Sequence, residues 1–187
     1  VNCAAVCPRI DIPDMTEPDY DRIMDTNLKS VYFLSRAVGQ AMRRAGWGRI
    51  VNITSVGART GGMHRVTVYA ASKAASWKFC RMYARSNGWP VRGATLFQCY
   101  SAGQSENNVI PAVLSAARLG RRFPLSPGEQ VRDWVSVEDV VSGLLAVAQS
   151  DLAAAESIEI GTGKGTSLSD TVQMIFDLVG GDGSPLF

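Results

Sequence analysis

Apolar residues recur at steps of three and four near the start of the chain. They are Tyr20, Ile23, Val31, Leu34, Val38 and Met42, with the polar Asn27 in the same stripe. Thr16 followed by Asp19 has the form of a helix cap, and Gly46 interrupts the pattern. The spacing predicts one long amphipathic helix over 16–45 with a single polar residue on its apolar face.

Short β-branched runs alternate with further helical segments downstream. Strands are predicted over 1–6, 49–54, 91–97 and 157–160, and helices over 69–86, 108–119, 137–149 and 167–179. A glycine-containing loop is expected over 56–67, and residues 100–136 are rich enough in Pro, Gly and Ser to indicate loops and short strands. The alternation favours an α/β domain with a mostly parallel sheet.

Composition and charge narrow the class of protein. The chain has 187 residues, of which 46% are hydrophobic and 19% charged, and its formal net charge is +2. This length suffices for one domain plus a small lobe. The near balance of charges gives no reason to expect nucleic acid or a membrane surface as a partner, and no apolar stretch approaches the roughly 20 residues that span a bilayer. We expect a soluble, cytoplasmic protein.

The cysteines do not form the pattern of a metal site. Cys3 and Cys7 form a CxxxC, Cys80 and Cys99 stand alone, and His64 is the single histidine. A zinc site needs further ligands at defined spacing. We therefore expect no metal and interpret the cysteines as reduced thiols.

Tyr69 and Lys73 are four residues apart, which places a phenol and an ammonium group on one side of the predicted helix. The pKa of a free tyrosine is near 10, so it transfers protons poorly at neutral pH. A nearby positive charge stabilises the phenolate and lowers that pKa. A tyrosine tuned in this way can donate a proton to a developing alkoxide or remove one from an alcohol.

Two further polar residues fit the same chemistry. Ser55 ends a predicted strand, where open α/β sheets place their ligands, and its hydroxyl could stabilise charge on a carbonyl oxygen. Asn27 could hold a water molecule near Lys73. Each residue also has a structural interpretation: Ser55 as a loop cap, Asn27 as a satisfied buried amide and Tyr69 as an aromatic residue at a helix start. The order of the four residues along the chain favours a catalytic site.

On these motifs the chain resembles the short-chain dehydrogenases/reductases over nearly its whole length. Asp25–Leu28 matches the helix that carries the catalytic Asn, Gly48–Ser55 matches the strand that carries the catalytic Ser, and Tyr69 with Lys73 matches YxxxK. The resemblance implies a doubly wound Rossmann-type parallel sheet and NAD or NADP as cofactor. It also implies that Tyr69 is the acid/base, Ser55 orients the substrate, Lys73 holds the nicotinamide ribose and lowers the tyrosine pKa, and Asn27 completes a proton relay.

The first residues resemble the family segment Asn-Asn-Ala-Gly, which supports the sheet beside the cofactor. Here Cys3 replaces the second Asn and Ala5 replaces the Gly. The resemblance implies that Asn2, Ala4 and Phe97 border the cofactor, together with Tyr69 and Lys73.

The two parts of the chain resemble different subgroups of this family. Residues 1 to about 66 are similar to compact single-domain reductases. From Tyr69 onward the chain is similar to extended nucleotide-sugar epimerases and dehydratases, most specifically over 128–135 with Glu138 and Asp139. Val56 and Gly57 stand where 4,6-dehydratases carry an acidic pair, which argues against dehydration.

The second resemblance implies a set of substrate-binding residues. Arg132 could fork onto the diphosphate of a sugar nucleotide, and Asn108 lies at a predicted helix start beside the same anion. Gln98 replaces the Asn that commonly meets the sugar, and Ser55 completes the set. The alternative for Arg132 is a surface ion pair with Asp133 or Glu138.

No dinucleotide-binding glycine loop is found. Gly161, Gly163 and Gly165 lack the GxGxxG spacing and lie near the end of the chain, so we reject them as that loop. The usual doubly wound layout would need about 80 more residues at the front. We therefore expect a sheet that lacks its first βαβαβ half.

These observations predict two regions and one class of reaction. Residues 1–104 are expected to form the catalytic half of the cofactor domain, and 105–187 part of a small substrate lobe interleaved with late Rossmann elements. The expected function is NAD(P)-dependent hydride transfer at a hydroxyl or carbonyl carbon, with epimerisation of a nucleotide sugar favoured. The alternatives are reduction of a small ketone or polyol, or an inert fragment. Self-association to a dimer or tetramer is expected through 16–45 and 69–86.

Overall fold

The computed structural model describes residues 1–61 and 64–180 and the backbone of 185–186. Its helices are α1 Glu17–Met24, α2 Ser30–Ala45, α3 Gly57–Thr60, α4 Thr67–Asn87, α5 Val109–Arg118, α6 Val137–Gln149 and α7 Leu168–Val179. Its strands are β1 Ile50–Ser55, β2 Val91–Leu96, β3 Gln98–Tyr100, β4 Phe123–Pro124, β5 Val131–Ser136, β6 Ser157–Ile160, β7 Gly165–Ser167 and β8 Pro185–Leu186. The predicted loop over 56–67 contains α3 and includes residues 62 and 63, which lie outside the described residues.

The chain forms two compact units. The first comprises Val1–Leu96 and Val141–Ile160, and the second comprises Phe97–Val140 and Gly161–Phe187. The division after residue 104 that the sequence suggests stays a prediction.

A parallel sheet with strand order β1-β2-β6 organises the first unit. Ile50 is paired with Val91, and Gly93 with Ser157, so all three strands end at the same edge. Val91 lies in a core cluster with Cys80 and Trp89. The parallel sheet and its helices confirm the predicted α/β class.

A π-helical turn, Asp25–Lys29, separates α1 from α2 where the sequence predicts one continuous helix. The helix begins as predicted, because the Thr16 hydroxyl accepts a hydrogen bond from the Asp19 N–H at 3.3 Å. At the turn, the Ser30 hydroxyl donates to the Thr26 carbonyl at 2.5 Å, which competes with regular α-helical bonding. The predicted single helix over 16–45 is therefore wrong in its middle.

The buried face of α2 differs in part from the predicted stripe. The buried residues are Asn27, Val31, Ser35 and Gly39, in steps of four. Leu34 and Val38, which the stripe assigns to the core, are 52% and 43% exposed. Val31 and Met42 keep the inward positions that the stripe predicts.

The predicted first strand over 1–6 is reduced to one bridge. The Asn2 N–H donates to the Val51 carbonyl at 2.9 Å and the Ile53 N–H donates to the Asn2 carbonyl at 3.2 Å. Beyond that pair, the segment is held by side chains rather than by a strand ladder: the Asn27 side chain bonds both backbone groups of Val6.

The second unit has its own small sheet and helical core. Strand β5 is parallel to β3 and antiparallel to β7. Helices α5 and α7 bury Val113, Ala117, Val172 and Phe176 against each other. Within the described part of the chain, no helix combines the length and the apolar character needed to cross a bilayer.

Candidate active site

Strand β1 and helix α4 bring Ser55, Tyr69 and Lys73 together within the first unit. The Lys73 Nζ lies 6.0 Å from the centroid of the Tyr69 ring, one helical turn away. The Ser55 side chain is close enough to the Tyr69 phenol to lower the pKa of that phenol. The three side chains that the sequence selects therefore face one another, as a proton-transfer site requires.

Lys73 is buried, with 2% of its surface exposed, although lysine side chains rarely are. Its Nζ donates a hydrogen bond to the Ile53 carbonyl at 3.1 Å. Burial lowers the pKa of Lys73, because desolvation disfavours the charged form, while the Cys3 and Cys7 thiols act in the opposite direction. No carboxylate forms an ion pair with Lys73 among the described residues.

The pKa of Tyr69 is raised, which corrects the predicted lowering by Lys73. Burial is the largest cause, the interaction with the Ser55 side chain lowers the pKa, and the Cys7 and Cys3 thiols raise it. Desolvation of the phenolate outweighs the interaction with Ser55 that lowers the pKa. The phenol is held in its protonated form at neutral pH.

Asn27 is fully buried in the π-helical turn, and its amide is occupied by protein groups. Its Oδ1 accepts from the Val6 N–H at 2.8 Å, and its Nδ2 donates to the Val6 carbonyl at 2.9 Å. The same nitrogen donates to the Ser72 hydroxyl at 3.1 Å. Both amide hydrogens are thus used within the protein, so the water-holding role predicted for Asn27 gains no support from its side chain.

Ser72 links Asn27 to the first turn of α4, and sequence analysis missed it. Its hydroxyl accepts from Asn27 and donates to the Tyr69 carbonyl at 2.7 Å. Its place next to Lys73 is a signal that could have identified it. Cys3 and Cys7 were also assigned no role at this site, although both thiols influence the pKa of Tyr69.

The Ser55 side chain lies at the carboxyl end of β1. Its Oγ accepts a hydrogen bond from the Gly57 N–H at 3.2 Å, at the start of α3. This contact turns the chain immediately after the strand. It leaves the hydroxyl hydrogen available to donate to Tyr69 or to a substrate oxygen.

The three other residues expected to border a cofactor differ in burial and in the unit to which they belong. The Asn2 Nδ2 donates to the Ser35 hydroxyl at 3.1 Å and to the Asn52 Oδ1 at 2.5 Å, so this side chain supports the sheet. Ala4 is exposed, and Phe97 is half-buried in the second unit. The cofactor roles of Asn2, Ala4 and Phe97 stay predictions.

The surroundings of Lys73 fit the ribose of a nicotinamide cofactor. An ammonium group has three donors, and within the described residues the Lys73 Nζ gives one of them to Ile53. The other two can bond ribose hydroxyls beside Tyr69.

The loop that contains Gly161, Gly163 and Gly165 binds a carboxylate of the protein itself. The Thr162 and Gly163 N–H groups each donate to the Asp133 carboxylate at 2.9 Å. Burial pushes the pKa of Asp133 up, but hydrogen bonds from the Thr162 hydroxyl and from these two N–H groups outweigh it, so the pKa is lowered. The loop amides are bound by the chain's own carboxylate, a physical reason to reject this loop as the dinucleotide site.

The predicted substrate residues Gln98, Asn108 and Arg132 all lie in the second unit. The Asn108 Nδ2 donates to the Ser105 carbonyl at 3.2 Å, just before α5. The Arg132 guanidinium donates to the Val131 carbonyl and to the Gln130 Oε1, both at 2.9 Å. Gln98 is half-buried in β3. Their binding roles stay predictions, as does the absence of a metal, although the described residues contain no cluster of three or more metal-ligating side chains.

Two family models match the sequence. The model described as short chain dehydrogenase matches residues 1–88, and the model described as GDP-mannose 4,6 dehydratase matches residues 59–184. The matches overlap around Tyr69 and Lys73. This confirms the predicted resemblance of the two parts to different subgroups.

Individual relatives also include both dehydrogenases and nucleotide-sugar dehydratases. A 2-dehydro-3-deoxy-D-gluconate 5-dehydrogenase from Dickeya dadantii is 38% identical over 90 residues, which cover 48% of this chain and 34% of that enzyme. A dTDP-glucose 4,6-dehydratase from Haemophilus influenzae is 38% identical over 79 residues, which cover 42% of this chain and 23% of that enzyme. The matched part is thus about a third or less of either relative.

The fold is that of solved Rossmann-type enzymes. A UDP-glucuronic acid 4-epimerase from Bacillus cereus, solved with UDP-glucuronic acid and NAD, matches with a TM-score of 0.77 and 16% identity, over 98% of this chain and 60% of that one. At this identity the likeness shows the fold alone. It confirms the predicted Rossmann-type architecture.

Proposed function

We propose a function from the premise that this chain belongs to the short-chain dehydrogenase/reductase superfamily, and within it to the family described as GDP-mannose 4,6 dehydratase. The proposed function is NAD(P)-dependent hydride transfer at a hydroxyl or carbonyl carbon. The observation that carries it is the Tyr69 phenol, beside the Ser55 side chain and one helical turn from the Lys73 ammonium group.

In this mechanism the protein side chains transfer the proton and bind the substrate oxygen. A nicotinamide cofactor held beside Lys73 and Tyr69 would supply the hydride chemistry at the carbonyl or alcohol carbon. Tyr69 donates its proton to the oxygen during reduction and removes it during oxidation. The Ser55 hydroxyl donates a hydrogen bond to the same oxygen, where negative charge develops. Lys73 holds the ribose, and Asn27 fixes the first turn of α4 through Ser72.

The raised pKa of Tyr69 gives the two directions of the reaction different pH dependences. A protonated phenol is ready to reduce a carbonyl across the neutral range. Oxidation of an alcohol needs the phenolate, so its rate should rise with pH toward the raised pKa. A pH profile of both directions measures this difference.

We propose a nucleotide sugar as the substrate and epimerisation as the outcome. The second family match and Arg132, as a fork for diphosphate oxygens, support the substrate class. Val56 and Gly57 stand where 4,6-dehydratases carry an acidic pair, which favours epimerisation over dehydration. Oxidation of a ring hydroxyl gives a planar ketone. If that ketone is reduced from its opposite face, the carbon is inverted.

Two other functions remain as alternatives. Reduction of a small ketone or polyol is favoured by the first family match, over residues 1–88. The second alternative is a chain that retains the site residues but binds no cofactor and is inert. We also keep a cytoplasmic location as a proposal.

The three functions differ in two measurements. Isothermal calorimetry with NADH tests cofactor binding, on this chain and, if the gene encodes residues before Val1, on the longer version. Proton NMR with NAD and uridine or thymidine diphosphate sugars then tests the reaction. New epimer signals support the proposal; turnover of small ketones alone supports the first alternative. If no version of the protein binds NADH, the enzymatic proposal is rejected.

We further propose that the protein self-associates through α2 and α4. Phe33, Leu34 and Val38 on α2 and Met82 on α4 are each at least 43% exposed, although they are large and apolar. Light scattering should give the mass of a dimer or tetramer, and Leu34→Glu should lower it. A wild-type monomer would contradict this proposal.

A further inference from the structure

Cys3 and Cys7 are exposed free thiols on the segment before α1, and the proposed mechanism gives them no role. Both lie in the same unit as the candidate active site. The two other cysteines differ, because Cys80 is buried and Cys99 is half-buried in the second unit. Cys3 and Cys7 are thus the most accessible thiols of the chain.

Backbone hydrogen bonds place Cys3 beside Lys73. The Ile53 N–H donates to the Asn2 carbonyl at 3.2 Å, and the Ile53 carbonyl accepts from the Lys73 Nζ at 3.1 Å. In a parallel sheet, the N–H and the carbonyl of one residue point to the same neighbouring strand. The Lys73 Nζ therefore takes the place where the Ala4 N–H would donate if the pairing of Asn2 continued. Cys3 joins these two residues, so it lies next to the ammonium group.

The hydrogen bonds of Asn27 hold Cys7 near the same helix. The Asn27 side chain bonds both backbone groups of Val6, at 2.8 and 2.9 Å, and it also bonds the Ser72 hydroxyl at 3.1 Å. Cys7 follows Val6, and Ser72 immediately precedes Lys73 in α4. The segment is thus fixed at both ends against the elements that hold the ammonium group, with one thiol next to each end.

The charged neighbours of these thiols differ from those of Cys99. The Lys73 side chain is 2% exposed, and a thiolate beside its ammonium group is stabilised electrostatically. Burial raises the pKa of Cys7, while Arg9 and Lys73 act in the opposite direction. At Cys99, burial and the Glu138 carboxylate both raise the pKa. Cations therefore adjoin the exposed thiol, and a carboxylate adjoins the half-buried one.

We propose that Cys3 and Cys7 form a modification site for disulfides of the glutathione class, which carry a net negative charge. The carboxylates of such a disulfide are attracted to the ammonium group beside the thiols. In the exchange, a protein thiolate attacks one sulfur of the disulfide. The new S–S bond joins the protein sulfur to one glutathione, the original S–S bond breaks, and the second glutathione leaves as a thiolate that takes a proton from water. The protein sulfur is oxidised and the departing sulfur is reduced.

The adduct would stand beside Lys73 and Tyr69 and block the proton-transfer site. This consequence rests on the proposed function, whereas the exchange itself does not. A chain that binds no NADH would reject the proposed function but not the exchange, so the two failures are distinguishable.

The test measures the rate of exchange at each cysteine of the intact protein with two disulfides of opposite charge. Glutathione disulfide is the anionic probe and cystamine is the cationic probe. The remaining thiols are alkylated, trypsin cleaves after Arg9, and mass spectrometry measures the free thiol left in residues 1–9 and at Cys99. Lys73→Met removes the ammonium group, and Lys78→Met, at an exposed position on the same helix, is the matched control. Circular dichroism checks that both variants fold.

We expect glutathione disulfide to oxidise residues 1–9 at least about fivefold faster than Cys99, the effect of one contact between opposite unit charges in water. With cystamine this preference should disappear or reverse, because a cation is repelled by Lys73 and attracted by Glu138. Lys73→Met should lose the preference for the anionic disulfide, and Lys78→Met should keep it.

The contrary outcomes are equally clear. If both disulfides oxidised residues 1–9 with the same preference over Cys99, accessibility alone would account for the reaction, and the proposal would be overturned. Oxidation of Cys99 by glutathione disulfide as fast as oxidation of residues 1–9 would also overturn it. Both outcomes are measured on the wild-type protein, so they decide the proposal even if Lys73→Met does not fold.

Discussion

The two units hold their candidate functional side chains in different ways. In the first unit, Asn27 and Lys73 are buried and bond to partners at least 20 residues away in sequence, at Val6, Ser72 and Ile53. In the second unit, Asn108 and Arg132 each have hydrogen-bond partners one to three positions away. The chemistry proposed for the first unit thus rests on a tertiary network, whereas the binding proposed for the second rests on side chains placed by local structure.

This difference has an energetic consequence. Removing a member of the buried network leaves other polar groups unpaired in a place that water does not reach, which is costly. Removing a partly exposed side chain leaves groups that water can satisfy. Substitutions in the first unit should therefore affect stability or chemistry, and those in the second should affect ligand affinity.

The largest expected effect is the loss of chemistry in Tyr69→Phe. This variant keeps the ring but removes the proton donor, so kcat should fall by about 10²–10⁴-fold, with little change in stability. Steady-state kinetics and thermal unfolding measure the two quantities. The exposed Tyr20→Phe on α1 is the control. A kcat close to that of wild type would remove Tyr69 from the proposed mechanism.

The next effect is expected for Arg132→Ala in the second unit. Under the nucleotide-sugar proposal, loss of the diphosphate partner should weaken substrate binding by about 2–5 kcal/mol. Turnover of a small ketone should not change. Arg118→Ala, at the exposed end of α5, is the matched control. If KM for the sugar nucleotide is the same in both variants, Arg132 does not bind the diphosphate.

Asn27→Ala should destabilise the first unit. The substitution leaves the Val6 backbone groups and the Ser72 hydroxyl without their partner, so the free energy of unfolding should fall by about 1–3 kcal/mol. Urea denaturation measures this change. The exposed Asn107→Ala should have almost no effect. Equal stability of the two variants would contradict a structural network around Asn27.

The smallest expected effect is the pH dependence of the stability that comes from the hydrogen bonds of the Asp133 carboxylate. Its folded-state pKa is lowered, so the ionised carboxylate stabilises the folded protein above the unfolded-state pKa, and this contribution is lost as pH falls through the folded-state pKa. Asp133→Asn should lower stability above about pH 5 and approach wild type in stronger acid. Asp151→Asn serves as the control. If the stability difference between Asp133→Asn and wild type grew as the pH fell, the prediction would be contradicted, because the pKa of Asp133 would then be raised on folding.

Much of the local structure could be predicted. Thr16 and Gly46 bound the helical region as expected, and the predicted strand at 49–54 and the helix that carries Tyr69 and Lys73 are both present. The π-helical turn was missed, because every residue in it is compatible with an ordinary helix. Ser72 was missed because its role depends on Asn27, 45 residues away in sequence.

The sequence by itself determined which residues share a helical face and where elements begin and end, because those properties depend on groups within one or two turns of each other. It therefore placed the phenol and the ammonium group side by side. Only the tertiary structure decided how strongly each is desolvated and which polar groups are paired. Burial raises the pKa of Tyr69 and lowers the pKa of Lys73. The shift of Tyr69 is opposite to the lowering that its spacing from Lys73 predicts. The reason is that desolvation depends on the elements packed around a side chain, which the spacing does not reveal.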